Sequence, residues 1–391
     1  MPEEPPNNSP TQTANPNQIS STLAEKTKVP WLIVIAAVIF VILTLITLNW
    51  IRNGNKTTLG KEQYYLGYNQ DVNTRSFTTI DTNGEFACPK DQTFYYLEKA
   101  KNSSNSVCRL DLTHLLDQIK SSAEIPQINF SQFSNLKELT LPLFYLKVYP
   151  NAALQFNNLS TIYLQNYYDN AIPINPQIWH LRNLQHLYIS GTIDGTISPE
   201  IGQLTNLRSL VIFIGKKKLA NGKFEDVTVI FPAQLGSLSK LETLSSGPTQ
   251  FPSSVSSLER LKTLNLSLTK LKQFPKEISL VKNLESLSLA GNELITFPNE
   301  LLSFHKLKNL SLSNNQLTQL PGEISQMTSL EILDLSDNQI KKLPAEVKNL
   351  QNLKILNLDN NSLEQNSQEI QKLLPHTNIF FLHCSGLSCI K

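Results

Sequence analysis

Apolar residues fall on a fixed ruler through the second half of the chain. Leu261, Leu284, Leu307, Leu330 and Leu353 each open a segment of the form L-x-x-L-x-L, and each lies 23 positions after the last. Within one unit the pattern alternates with period two, apolar at Leu310 and Leu312, polar at Asn309, Ser311 and Ser313. Such alternation predicts a short strand that turns Leu310 and Leu312 inward and leaves the polar residues outward. A period of this size marks stacked units, none of which can bury its apolar side alone. Most of the chain is therefore spent on one long surface.

Each unit ends its strand on an amide: Asn292, Asn315, Asn338 and Asn361. An amide in that place can satisfy backbone groups of its own turn and of the neighbouring turn, so the four predict a stacked ladder. Asn314, one position earlier, is expected to be exposed and replaceable. Proline follows at Pro275, Pro298, Pro321 and Pro344 and fixes φ where the chain turns to the outer side. The rest of a unit, such as Gly322 to Met327, reads as a short helical turn.

The motif L-x-x-L-x-L-x-x-N-x-L followed by L-P-x-E-I resembles the leucine-rich repeat family, in bacterial or plant-receptor-like form. The resemblance implies an α/β solenoid, a horseshoe with a parallel concave sheet and short helical or 3-10 turns on the convex side. Weaker copies begin at Leu136, Leu159, Leu184, Leu207 and Leu241, and a degenerate one at Val107, with Leu110 and Leu112 in the inward slots. The early copies hold Phe144, Tyr167, Thr192, Gly215, Thr249 and Thr269 where the ladder amide belongs. In this family exposed strand positions make the contacts. Here those positions are small and polar late in the array (Ser286, Ser288, Asn309, Ser311, Ser313, Asp334, Asn357) and larger early in it. Tyr163, Tyr188 and Val211 share one slot in consecutive repeats, with His186 and Phe213 beside them. They are expected to form an exposed row that binds a protein or peptide. The opposing reading buries these rings as core.

Ahead of the array, residues 31–50 run from Trp31 to Trp50 without a charge. Twenty residues span a bilayer. Thirteen of them are Leu, Ile, Val or Phe, and at ~0.3 to 0.6 kcal/mol each their insertion gains about 4 to 8 kcal/mol. No cleavage pattern follows, so the segment reads as an uncleaved single-pass anchor. The organisation expected is a polar tail over 1–30, a transmembrane helix over 31–51, a linker and cap over 52–106, repeats over 107–375 and a C-terminal cap over 376–391. A short helix is expected from Asp91 to Lys101, with Phe94 and Leu97 against the first repeat. Lysines and arginines flank the anchor on both sides and leave its orientation open.

Four cysteines, Cys88, Cys108, Cys384 and Cys389, divide between the two caps. Repeat arrays need capped ends, and exported members of the family often staple them. The expected bridges are Cys88–Cys108 and Cys384–Cys389, in an oxidising compartment. The alternative is four reduced thiols in a cytosolic domain.

Chemistry is scarce. No Gly-rich phosphate loop, G-x-S-x-G, H-E-x-x-H or paired C-x-x-C occurs. The cluster His376, His383, Cys384 and Cys389 lacks zinc-site spacing. Neither catalysis, nor a metal, nor another cofactor is expected. With 34 basic and 32 acidic residues, no nucleic-acid footprint is expected either. One local exception to the charge balance is Lys216 to Glu225, whose Asn221-Gly222 pair predicts a basic hairpin. Two functions fit: a membrane-anchored binder of a protein or peptide outside the cytoplasm, or a cytoplasm-facing tethered scaffold, which the Leu320-Pro321-Gly322-Glu323-Ile324 motif resembles.

Overall fold

The computed structural model describes Cys88 and residues 93–113, 127–156, 158–166, 171–214, 216–219, 222–247 and 249–380. The expected tail, the anchor over 31–51 and the Cys384–Cys389 pair lie outside these residues. Among the described residues no helix is long and apolar enough to cross a membrane.

The period-two segments form one parallel sheet of 13 strands. Ten strands come from the repeats, starting at Glu138, Thr161, His186, Ser209, Thr243, Thr263, Ser286, Asn309, Ile332 and Ile355. The degenerate copy adds Arg109–Asp111, and the two ends are Thr93–Phe94 and Asn378–Phe380. The last of these falls in the segment read as a C-terminal cap, and it pairs in register with the strand before it. The register carries one apolar column through the array, Leu264↔Leu287↔Leu310↔Leu333↔Leu356 among others. These five side chains are at most 1% exposed. Burying a Leu gains roughly 1.5–3 kcal/mol, and a one-residue slip would turn the whole column to the other face. That is why the register is held so strictly.

The outer turns are 3-10 rather than α-helical. Pro232, Pro252, Pro275, Pro298, Pro321 and Pro344 stand at the N-cap of consecutive turns. In each, the proline carbonyl accepts from the residue three places on, and that residue is the buried one: Leu235, Val255, Ile278, Leu301, Ile324 and Val347. Five residues suffice to return the chain, and a 3-10 turn reaches further per residue than an α-turn. A small second parallel pair, Val229–Ile230 with Thr249–Gln250, lies off the main sheet.

The first repeats depart from the rule. After the strand Glu138–Pro142 the chain forms an α-helix, Leu143–Val148, in which the expected ladder slot Phe144 packs against the core. Tyr145 is fully buried there, and its hydroxyl accepts from Ile128 N at 2.8 Å. Burial pushes its pKa up to about 12, although that hydrogen bond pulls the other way. The N-terminal cap corrects the expected helix: Thr93–Phe94 is a strand, and the helix covers only Leu97–Lys101. Pairing with Arg109 and Leu110 outweighs the helical pattern at those two residues. Phe94 and Leu97 are partly buried against the core. Cys88 and Cys108 are bridged, with Cα atoms 5.6 Å apart.

Candidate functional site: the concave face and its edges

Strand pairing brings the five expected contact residues together. Tyr163, Tyr188 and Val211 lie side by side in register, His186 stands in the column on one side of them and Phe213 in the column on the other. Their exposure differs from expectation. Tyr163 is 5% and Val211 7% exposed, Tyr188 and His186 are half-buried, and Phe213 alone is open at 48%. The two tyrosine rings stack at 4.5 Å between centroids and 11° between planes. Strands stacked at ~4.8 Å place equivalent side chains at van der Waals distance, so a column of rings covers its own faces. Burial raises the pKa of Tyr188 above the ordinary value, a hydrogen bond with Ser209 opposes the rise, and the charge of Glu138 adds to it. Arg109 and Glu138 precede Thr161 and His186 in one column. They form an ion pair at 3.6 Å, with both side chains buried.

The late half of the concave face is a second correction. Ser311 and Ser313, expected to point to solvent, are buried. Their hydroxyls lie 3.1 Å apart, and Ser311 donates to Asp334 at 3.4 Å. Asp334 also accepts from Ser336 N and Oγ. Loss of hydration dominates, so its carboxyl titrates above the usual carboxylate range despite these donors.

The amide ladder has a fixed grammar. In Asn315, Nδ2 donates to Leu289 O at 2.9 Å and Leu312 O at 3.0 Å, and Oδ1 accepts from Leu294 N at 3.1 Å. Asn338 and Asn361 repeat this one and two units later. Asn292 meets Thr269, whose hydroxyl takes over the donation to its own unit's carbonyl, Leu266 O. Of the other early slots, Thr192 donates to Lys216 O and Thr249 to Val229 O. Tyr167 and Gly215 lie outside the described residues. Asn166, one position before Tyr167, donates to Thr192 O at 2.5 Å, a role the sequence reading missed.

Asn314 is not the neutral position expected. It has φ +51°, and Asp337, Asn360 and Gly291 occupy the same place with φ +54°, +54° and +67°. Glycine, asparagine and aspartate tolerate this left-handed backbone. At Gly291 a Cβ would come within 2.4 Å of Leu268 Cδ2, the tip of a half-buried side chain that can swing aside, so the left-handed backbone and not space is what favours glycine there.

A further column went unread. The residue after each ruler leucine alternates in sign: Arg208, Glu242, Lys262, Glu285, Lys308, Glu331, Lys354. It runs along the edge where the strands begin. Arg208–Glu242 at 2.8 Å, Lys262–Glu285 at 3.4 Å, Lys308–Glu285 at 2.8 Å and the Lys354–Glu331 pair link it. Lys308 holds the carboxyl of Glu285 below its usual range. The 23-residue period with alternating sign was the signal that could have found it. Toward the N-terminus the column turns neutral at Ser160 and Gln185. There a groove of about 440 Å³ opens, lined by Lys137, Asn158, Ser160, Asn183, Gln185 and Asn206.

Comparison with known proteins agrees with this geometry. Residues 298–375 match the family described as a leucine-rich repeat region. No curated protein matches the chain. Among solved structures, the TLR13–ssRNA13 complex is similar at 22% identity with a TM-score of 0.53, over 71% of this chain and 42% of that one. The present chain thus spans less than half of that protein. A leucine-rich repeat protein of Leptospira interrogans is 24% identical over 74% of this chain and 99% of its own, with a TM-score of 0.29. The ectodomain of the Arabidopsis thaliana receptor kinase GASSHO1/SCHENGEN3, in complex with CASPARIAN STRIP INTEGRITY FACTOR 2, is 20% identical over 65% of this chain and 36% of its own, with a TM-score of 0.42. Residues 298–375 are thus a leucine-rich repeat region, and the repeat period, the amide ladder and the parallel sheet carry a leucine-rich repeat fold through the units before them.

Proposed function

We infer that residues 31–51 hold this chain in a membrane and that its concave sheet binds a protein or peptide outside the cytoplasm, as an adhesion, capture or co-receptor module. Phe213 carries the reading. It is a large apolar side chain left open on a face whose neighbouring rings, Tyr163 and Tyr188, are stacked on each other. Aromatic side chains are enriched among the residues that carry the binding energy of interfaces. Tyr188 and His186, half-buried on the adjacent strand, add polar contacts. Buried Tyr163 and Val211 flank Tyr188 in register on either side. The Cys88–Cys108 bridge supports export, since disulfides persist in oxidising compartments. No cofactor enters this reading.

An impermeant protease applied to intact cells should digest the repeats and spare the tail before Trp31. Protection of the repeats with loss of the tail would instead place the array in the cytoplasm, as a tethered scaffold. A photo-crosslinking residue at Phe213 should capture a polypeptide, whereas one at Ile295, more exposed but outside the strands, should not. Capture at Ile295 alone, or at neither position, would refute the concave site.

A further inference from the structure

The residues from Lys216 to Asp226 carry Lys216, Lys217, Lys218 and Lys223 against Glu225 and Asp226, in a chain otherwise near charge balance. The structure joins their two flanks as an antiparallel strand pair. Lys217 pairs with Glu225 and Lys218 with Phe224, antiparallel, and Leu219 N donates to Lys223 O at 2.8 Å. The root is fixed: Asp226 is ion-paired with Lys270, and Val227 and Val229 are buried. Gly222 (φ +79°) stands clear, because a Cβ there would meet nothing within 4 Å. Lys216, Lys223, Phe224 and Glu225 are all exposed, Phe224 at 49%. With Asp226 engaged by Lys270, the hairpin keeps a net positive charge beside an open aromatic ring.

We propose that this basic hairpin docks on an anionic lipid surface, with Phe224 in the interfacial layer. The choice of cation decides between occupants. Specific recognition of protein carboxylates or nucleic-acid phosphates favours the bidentate fork of Arg, and Lys is depleted at protein interfaces. Four lysines and no arginine suit diffuse attraction to a charged surface that offers no fixed geometry. An aromatic ring at the same site suits the amphipathic interface of a bilayer. The inference rests on the membrane-anchored reading only for how the chain reaches the bilayer.

The full chain, reconstituted in vesicles of phosphatidylcholine with or without phosphatidylglycerol, tests it. A water-soluble amine reagent labels accessible lysines, and mass spectrometry compares the hairpin with Lys282 and Lys306, exposed elsewhere on the array. The hairpin lysines should lose at least ~threefold in relative labelling with phosphatidylglycerol, regain it at high salt, and be less protected in Phe224→Ala. Equal labelling in both lipids overturns the proposal. So does protection by soluble polyglutamate or by single-stranded RNA in the neutral vesicles, which would assign the hairpin to an acidic protein or a nucleic acid. Flotation reads the anchor separately. A chain that floats with neutral vesicles but shows no lipid-dependent protection keeps the anchor and loses the hairpin proposal. One that floats only with anionic vesicles does the reverse.

Discussion

Replacing Asn315 by alanine tests the ladder, and its neighbours set the magnitude. Asn315 makes three contacts to carbonyls, but two of those oxygens keep a second donor: Leu289 O also accepts from Asn292 and Leu312 O from Asn338. The third, Ser313 O, is reached at 3.2 Å and also receives the backbone N–H of Gly291. What loses its side-chain partner outright is the backbone N–H of Leu294, a residue 1% exposed. An orphaned buried donor costs about 1–3 kcal/mol, so Asn315→Ala should cost about that much, and not the sum of every bond the amide makes. Asn292 differs. Its Oδ1 accepts from the buried Thr269 N and from Leu271 N, which is only half-buried, so Asn292→Ala strands one buried and one partly hydrated donor and should cost roughly 2–4 kcal/mol on the same scale. Urea unfolding followed by circular dichroism gives the comparison. The midpoint should fall further for Asn292→Ala, provided the slope is unchanged and the array still unfolds in one step. An equal or larger loss for Asn315→Ala would show that shared carbonyls do not buffer the ladder, and would refute this accounting.

Asn314→Ala should cost about 1–2 kcal/mol because alanine must take left-handed backbone, while Asn314→Gly should melt close to the parent. Asp334→Asn should stabilise the protein at neutral pH. Its folded pKa lies above the unfolded value, so the native state loses stability as pH rises from the ordinary carboxylate value through the raised one. That loss should vanish in the variant, as denaturation at pH 4 and pH 7 would show. Glu285→Lys puts a third cation beside Lys262 and Lys308. It should lower the melting temperature at low salt and less so at high salt, since an exposed pair contributes ~1 kcal/mol or less and is screened; equal loss at both salts would assign the effect to packing. Reduction of Cys88–Cys108, which closes a separation of 20 residues, should remove ~3 kcal/mol on the chain-entropy account, with the N-terminal strands losing amide protection first.

The ruler, the strands, the ladder amides, the proline turns and the hairpin were legible in the residues, because each depends on a local period or on one residue's backbone preference. The alternating charges after the ruler leucines and the Gly/Asn/Asp before the ladder amides were equally local. They went unread only because each must be followed down a column instead of along the chain. What stacking alone decided was exposure. Whether Tyr163, Val211, Ser311 or Phe213 meets solvent depends on the side chains one repeat above and below, and those come together only once the strands are stacked in register. Likewise Thr93 and Phe94 leave a helical pattern for a strand because a partner edge lies beside them, and the first repeat exchanges its amide slot for a helix around Tyr145. Local periodicity sets what a unit is, and neighbours distant in sequence set which of its faces remain open.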